Sequence, residues 1–268
     1  MELTKSHKTF GGQTAFWKHQ APSTKTVMSL ATFVPAGNEI REAVIWLSGL
    51  TCTEQNFITK SGVQRLLADT KTMVIAPDTS PRGLNLPGEH EAYDFGSGAG
   101  FYVDATTPGY RDYYRMFSYV AADLVSLLRD HFGVSRLSLM GHSMGGHGAL
   151  VLGLRHPEKF QRITAFAPIV NPSQTPWGTK ALKGYLGDTD WGAYDACELL
   201  RRGYRHPQEI SIYQGTKDEF LGTQLQPEVF QQTADEVGQP CQITWCEGYD
   251  HSYYCIASFL PEALSRVV

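Results

Sequence analysis

Gly141-His142-Ser143-Met144-Gly145 is the stretch that most constrains what this chain can fold into. The apolar run Arg136–Met140 leads into it, and Gly146-His147-Gly148-Ala149-Leu150 continues with a helical pattern. Together these residues predict a strand, a sharp turn and a helix. A serine at the centre of such a turn is held with its hydroxyl above the strand end. Glycines two residues to either side leave space where a Cβ would clash. The N–H of Met144 lies at the helix start, without an intrahelical acceptor and at the positive end of the helix dipole. It is suited to hold an oxyanion. A glycine-rich turn that only packs a helix on a sheet is the competing reading. The flanking strand and helix favour Ser143 as a nucleophile.

Apolar strand-like runs alternate with helical patterns along all 268 residues, the mark of an α/β fold. Strands are expected at Val27–Val34, Ala43–Leu47, Met73–Ala76, Arg136–Met140, Ile163–Ala167, Ile210–Tyr213 and Gln242–Cys246. The first precedes any helix and should lie antiparallel at the sheet edge. Helices are expected near Phe57–Asp69, Asp112–Phe132, Met144–Arg155, Pro227–Val237 and Ser252–Ser265. In the second, Met116, Val120, Leu124, Leu127 and Leu128 form one stripe, and Gly133 ends it. The expected class is the α/β-hydrolase fold: a mostly parallel central sheet with helices on both faces, in a single domain over 1–268. Residues 169–209 depart longest from the alternation. They are too few for a full lid domain and predict a short insertion over the active site.

In this class the acid and the base follow the serine in that order, each after a later strand. Ile210–Tyr213 is followed by Gln214-Gly215-Thr216-Lys217-Asp218, which makes Asp218 the candidate acid. Asp188, Asp190 and Asp195 have no strand before them. His251 follows the last strand and is the only histidine after Asp218, so it is the candidate base. His142 and His147 flank the serine and are expected to pack or bond locally. A second oxyanion donor should come from the loop after Ala43–Leu47, where Gly49 permits a close turn that aims the N–H of Leu50. Cys52 lies on the same loop. It is a rival nucleophile by type, but it has no dedicated base and reads as a semi-buried free thiol.

Composition excludes other classes. Hydrophobic residues make up 42% and charged residues 19%, enough to bury a sizeable core. The net charge of −4 offers no basic face for nucleic acid. Met1–Lys18 lacks a signal peptide's apolar core, and Ile163–Val170, broken by Pro168, is too short to span a bilayer. The expectation is a soluble cytoplasmic protein with no membrane partner. Its five cysteines, Cys52, Cys197, Cys241, Cys246 and Cys255, read as free thiols. No metal-ligand spacing is present, and the chemistry needs no cofactor.

The chain resembles the S-formylglutathione hydrolases, or esterase D family. The resemblance is carried by Trp46-Leu47-Ser48-Gly49-Leu50-Thr51-Cys52-Thr53, by Gly98 to Thr106, and by Gly141 to Ala149. It continues in Pro176-Trp177-Gly178, Gly184-Tyr185-Leu186-Gly187, Gln214 to Asp218, and Glu247 to Tyr254. It implies a triad of Ser143, Asp218 and His251, with Leu50 and Met144 as oxyanion donors and Cys52 and Trp177 near the acyl site. Tyr93 stands where many relatives carry Trp. The implied reaction is hydrolysis of a small-molecule glutathione thioester to formate and glutathione, with side activity on short-chain esters. The resemblance also suggests a homodimer. Arg82, Lys180 and Lys183 are candidate partners for the substrate's carboxylates. A general carboxylesterase, an acyltransferase on the same fold and a non-catalytic binding protein remain the alternatives.

Overall fold

Along one short strand Ile45 and Leu47 bury into one apolar layer while Val44 and Trp46 bury into another. That period of two, repeated by Leu139 and Met140 on a neighbouring strand, places a sheet between two cores. The computed structural model describes residues 1–37 and 39–267. Its strands are β1 (Glu2–Thr9), β2 (Gly12–Ala21), β3 (Thr26–Val34), β4 (Glu42–Leu47), β5 (Thr72–Pro77), β6 (Arg136–His142), β7 (Phe160–Phe166), β8 (Ile210–Gly215) and β9 (Cys241–Cys246). They form one sheet in the order β1-β2-β3-β5-β4-β6-β7-β8-β9. The first three strands and the β3–β5 pair are antiparallel. From β5 to β9 every pairing is parallel.

This order positions the site. From β4 the chain passes to β5 on one side, then crosses back to β6 on the other. The carboxyl ends of β4 and β6 therefore flank a reversal of strand order, where open α/β sheets form their ligand crevice. The loop after β4 and the turn after β6 are the two segments singled out for the oxyanion donors and the nucleophile.

The parallel core follows the expected strands closely, and the N-terminal part does not. β3 is antiparallel as expected but is not at the edge, because β1 and β2 lie outside it. β1 is exposed almost throughout, so it carries no apolar alternation to reveal it. Its stability comes from the ladder with β2. The helix expected over Phe57–Asp69 is two short ones, Glu54–Lys60 and Val63–Leu67. Gly62 separates them with φ 72, a left-handed backbone that ends a helix. The long helix starts at Met116 rather than Asp112, because Asp104 accepts the Ser118 N–H at 2.9 Å and caps the first turn there. Residues Tyr119–Leu124 wind as a π-helix before Val125–Phe132 returns to the α form, and Gly133 closes it with φ 70.

Met144–Arg155 and Pro227–Val237 form as expected, and the last helix spans Tyr253–Ser265 behind its Ser252 cap. Residues Met144 to Leu154 are all buried. This helix is packed on every side, which suits an element that must hold a reactive side chain at its start. Segment 169–209 contains the helices Pro176–Leu186 and Ala196–Arg201 with short 3-10 turns. Among the described residues no helix is long and apolar enough to cross a membrane.

Candidate active site

β6 ends at His142, and Ser143 follows with φ 59 and ψ −119. Positive φ is costly for a residue with a Cβ and persists only where surrounding bonds over-determine it. Here the Ser143 N–H donates to Phe166 O at 2.9 Å. Its carbonyl accepts from His147 N at 3.0 Å and Ile169 N at 3.3 Å. The flanking glycines are required by contact. A Cβ on Gly141 would lie 2.2 Å from Gly145 O, and one on Gly145 would lie 1.9 Å from Leu47 O. The elbow thus presses directly on the end of β4.

The loops after β8 and β9 are stitched together. Thr216 N–H donates to Cys246 O at 3.1 Å and Lys217 N–H to Tyr249 O at 2.9 Å. Gly248 N–H donates to the Thr216 hydroxyl at 2.9 Å. Asp218 and His251 consequently arrive side by side, and His251 Nδ1–H donates to Asp218 Oδ2 at 2.6 Å. The Asp218 side chain is wholly buried, whereas that of His251 keeps 14% of its surface. Gln214 Nε2 donates to Asp218 Oδ2 at 3.2 Å and Phe220 N to Oδ1 at 2.9 Å. Three donors therefore hold a buried carboxylate that would be costly without them.

A pocket of about 460 Å³ opens where these elements meet. Ser143, His251, Leu50, Cys52 and Trp177 all line it. A larger hollow of about 700 Å³, beside Trp17 and His131, lies among other residues and contains none of the candidate groups. Leu50 occupies the second position of a turn closed by Cys52 N–H to Gly49 O at 3.3 Å. Thr51 follows with φ 65, held by its N–H to Gly98 O at 2.9 Å. A β-branched residue in this conformation is strained, as functional loops often are. Neither the Leu50 N–H nor the Met144 N–H has a protein acceptor among the described residues. Both N–H groups remain available to a developing oxyanion.

Trp177 forms one wall. Its indole N–H donates to the Tyr93 hydroxyl at 3.0 Å, and its ring lies 4.6 Å from that of Phe220. Phe220 in turn sets its edge against His251, with centroids 5.0 Å apart. Burial pushes the Cys52 thiol up from its ordinary value, which keeps it protonated rather than nucleophilic. His142 packs 4.5 Å from His251, and burial holds its pKa well below the usual histidine value. His147 Nε2–H donates to Phe101 O at 2.9 Å, and burial lowers its pKa to about 4. Both flanking histidines are thus neutral packing groups, as the sequence suggested.

The cations proposed for the substrate's carboxylates are engaged elsewhere. Arg82 is bound by Asp78 at 2.7 Å and donates to Cys52 O at 3.0 Å, pinning the loop after β4. Lys180 pairs with Asp94 and Lys183 with Asp188. None of the three lines the pocket. Sequence reasoning missed Asn56 and Lys60, which do line it. Their four-residue spacing, just after the Gly49–Cys52 turn, was the available signal. Among the described residues no group of three or more His, Cys, Asp or Glu side chains is placed to hold a metal ion.

Comparison with known proteins agrees with this architecture. Residues 21–261 match the Esterase family, described as "Putative esterase". The chain is 48% identical to an S-formylglutathione hydrolase of Rattus norvegicus, over 98% of this chain and 96% of that one. It is 47% identical to an S-formylglutathione hydrolase of Bos taurus, over 98% and 95%. A solved S-formylglutathione hydrolase from Agrobacterium tumefaciens superposes with a TM-score of 0.95 at 40% identity, covering 99% of this chain and 98% of the other.

Proposed function

The chain belongs to the S-formylglutathione hydrolase family, and from that premise we propose that it hydrolyses S-formylglutathione to formate and glutathione through a formyl-Ser143 intermediate. The observation that carries the reading is that His251, bonded at 2.6 Å to the buried Asp218, lines one pocket with Ser143 on its strained elbow and with Leu50 of the loop after β4.

In the first step His251 Nε2 takes the Ser143 proton as Oγ attacks the formyl carbon. Asp218 holds the imidazole in the tautomer that leaves Nε2 free and stabilises the imidazolium that forms. The Leu50 and Met144 N–H groups receive the oxyanion, each worth about 10² to 10³ in rate by analogy with known oxyanion donors. The carbon–sulfur bond then breaks, the departing sulfur takes the proton held on His251 Nε2 so that glutathione leaves as the thiol, and His251 is neutral again. A thiol has a pKa near 8.5, so the leaving sulfur needs less acid assistance than an alkoxide. In the second step water gives a proton to His251 Nε2 and attacks the formyl ester. Formate leaves, and the proton returns to Ser143. Short-chain esters enter the same cycle with an alcohol as leaving group.

Five unpaired thiols are consistent with a reducing compartment, and we place the enzyme in the cytoplasm. We take residues 169–209 as an insertion within one domain, and the active species as a homodimer, which sedimentation would check. The reaction itself is tested by S-formylglutathione turnover with Ser143→Ala. Activity should fall by about 10⁵ or more, and turnover near that of the parent enzyme would refute the assignment.

A further inference from the structure

A formyl group offers an enzyme almost nothing to hold. Recognition of S-formylglutathione must fall on the departing thiol, which carries two carboxylates and one ammonium. Among the described residues that line the pocket beside Ser143 there is no acidic side chain, and Lys60 is the one Lys or Arg. Lys60 ends the helix Glu54–Lys60, and its ammonium sits 5.5 Å above the centre of the Tyr253 ring, which also lines the pocket. Among the described residues it has no ion-pair partner.

One turn earlier stands Asn56, also in the lining. The helix cap fixes its amide. Thr53 N–H donates to Asn56 Oδ1 at 2.9 Å as part of a capping box. The carbonyl side of the amide is therefore engaged with the backbone, and the NH₂ side faces away with no protein acceptor among the described residues. Residues four apart share a helix face. Asn56 and Lys60 thus present two donors, one of them cationic, on the same face of one helix.

We propose that Asn56 and Lys60 form a carboxylate-binding subsite for the peptide part of the thiol leaving group. The subsite rests on the thioester reaction proposed above. It anchors a remote part of the substrate, so it acts on affinity and leaves the chemical step to Ser143 and His251. Its position on a solvent-facing helix end limits its strength. A partly exposed, charge-assisted contact corresponds to about a three- to tenfold effect.

The experiment compares S-formylglutathione with the formyl thioester of N-acetylcysteamine, which has the same acyl group and bond but no charge. Both are assayed with the parent enzyme, Lys60→Gln and Lys60→Glu. KM for S-formylglutathione should rise about three- to tenfold in Lys60→Gln and further in Lys60→Glu, with kcat held within about twofold. The preference for the charged thioester should fall in proportion. Glutathione, the product, should become a weaker competitive inhibitor of both variants. An unchanged preference and unchanged glutathione inhibition would overturn the subsite and leave the serine chemistry standing. If the parent enzyme turned over neither thioester, the reaction and the subsite would both fall.

Discussion

The floor and the rim of the pocket are built in different ways. The floor stands on the carboxyl ends of β4, β6, β8 and β9, with Ser143 and Asp218 almost wholly buried. Each of its groups is fixed by several bonds at once. The rim is a short helix, Glu54–Lys60, and one exposed tyrosine, Tyr93, whose hydroxyl accepts from Trp177. A floor of this kind fits chemistry, where displacement of an ångström is costly. A rim of the second kind fits recognition, which tolerates movement and is read in KM. The division between them is therefore a claim about kinetics.

The largest effect that could break this division comes from the floor. Asp218→Asn should keep the fold but lose the tautomer that His251 needs. A drop of about 10⁴ in kcat is expected, by analogy with the same change in known triads. A loss confined to KM would show that Asp218 belongs with the rim.

Stability gives a second, intermediate effect. His147 is fully buried, with a pKa lowered to about 4 by burial, and His142 shifts in the same direction. Below about pH 6.5 an unfolded histidine takes up a proton that these rings refuse, so the unfolded state binds more protons. Stability should be full above that pH and should fall progressively towards pH 4. For His147 alone the loss amounts to about 3 kcal/mol at the lower limit. Urea melts at pH 7 and pH 5 would measure the slope, and His147→Gln should flatten it. A slope unaltered by that substitution would mean that other groups govern acid stability.

The smallest effect is at the rim. Tyr93→Phe removes the acceptor of the Trp177 indole N–H but leaves the wall in place. Tyr93 is 60% exposed, so water can replace the hydroxyl. A change in KM of less than about threefold is expected, and a large fall in kcat would move Tyr93 into the chemical machinery.

The same contrast explains what was legible in the sequence. Ser143 could be read because strand, turn and helix are adjacent in the chain. Asp218 and His251 could be read because β8 and β9 are short apolar runs and each residue follows its strand within a few positions. β1 could not be read, since an exposed ladder strand needs no apolar face. The split at Gly62 was hidden because apolar residues continue on both sides of it. The cations Arg82, Lys180 and Lys183 were equivalent to Lys60 by residue type. The folded chain engages the first three with Asp78, Asp94 and Asp188, the Lys180–Asp94 pair across 86 residues and the other two within five. Local motifs thus specified the floor, whereas the rim depended on which charges were left without partners.

Ser143 and its rival Cys52 both line the pocket, and the central claim is that the acyl group passes through the first. Rapid acid quench during S-formylglutathione turnover, followed by peptide mass spectrometry, tests it directly. The formyl adduct should be found on the peptide bearing Ser143, and Cys52→Ala should form it at a comparable rate. An adduct on Cys52, or one that persists in Ser143→Ala, would contradict the account.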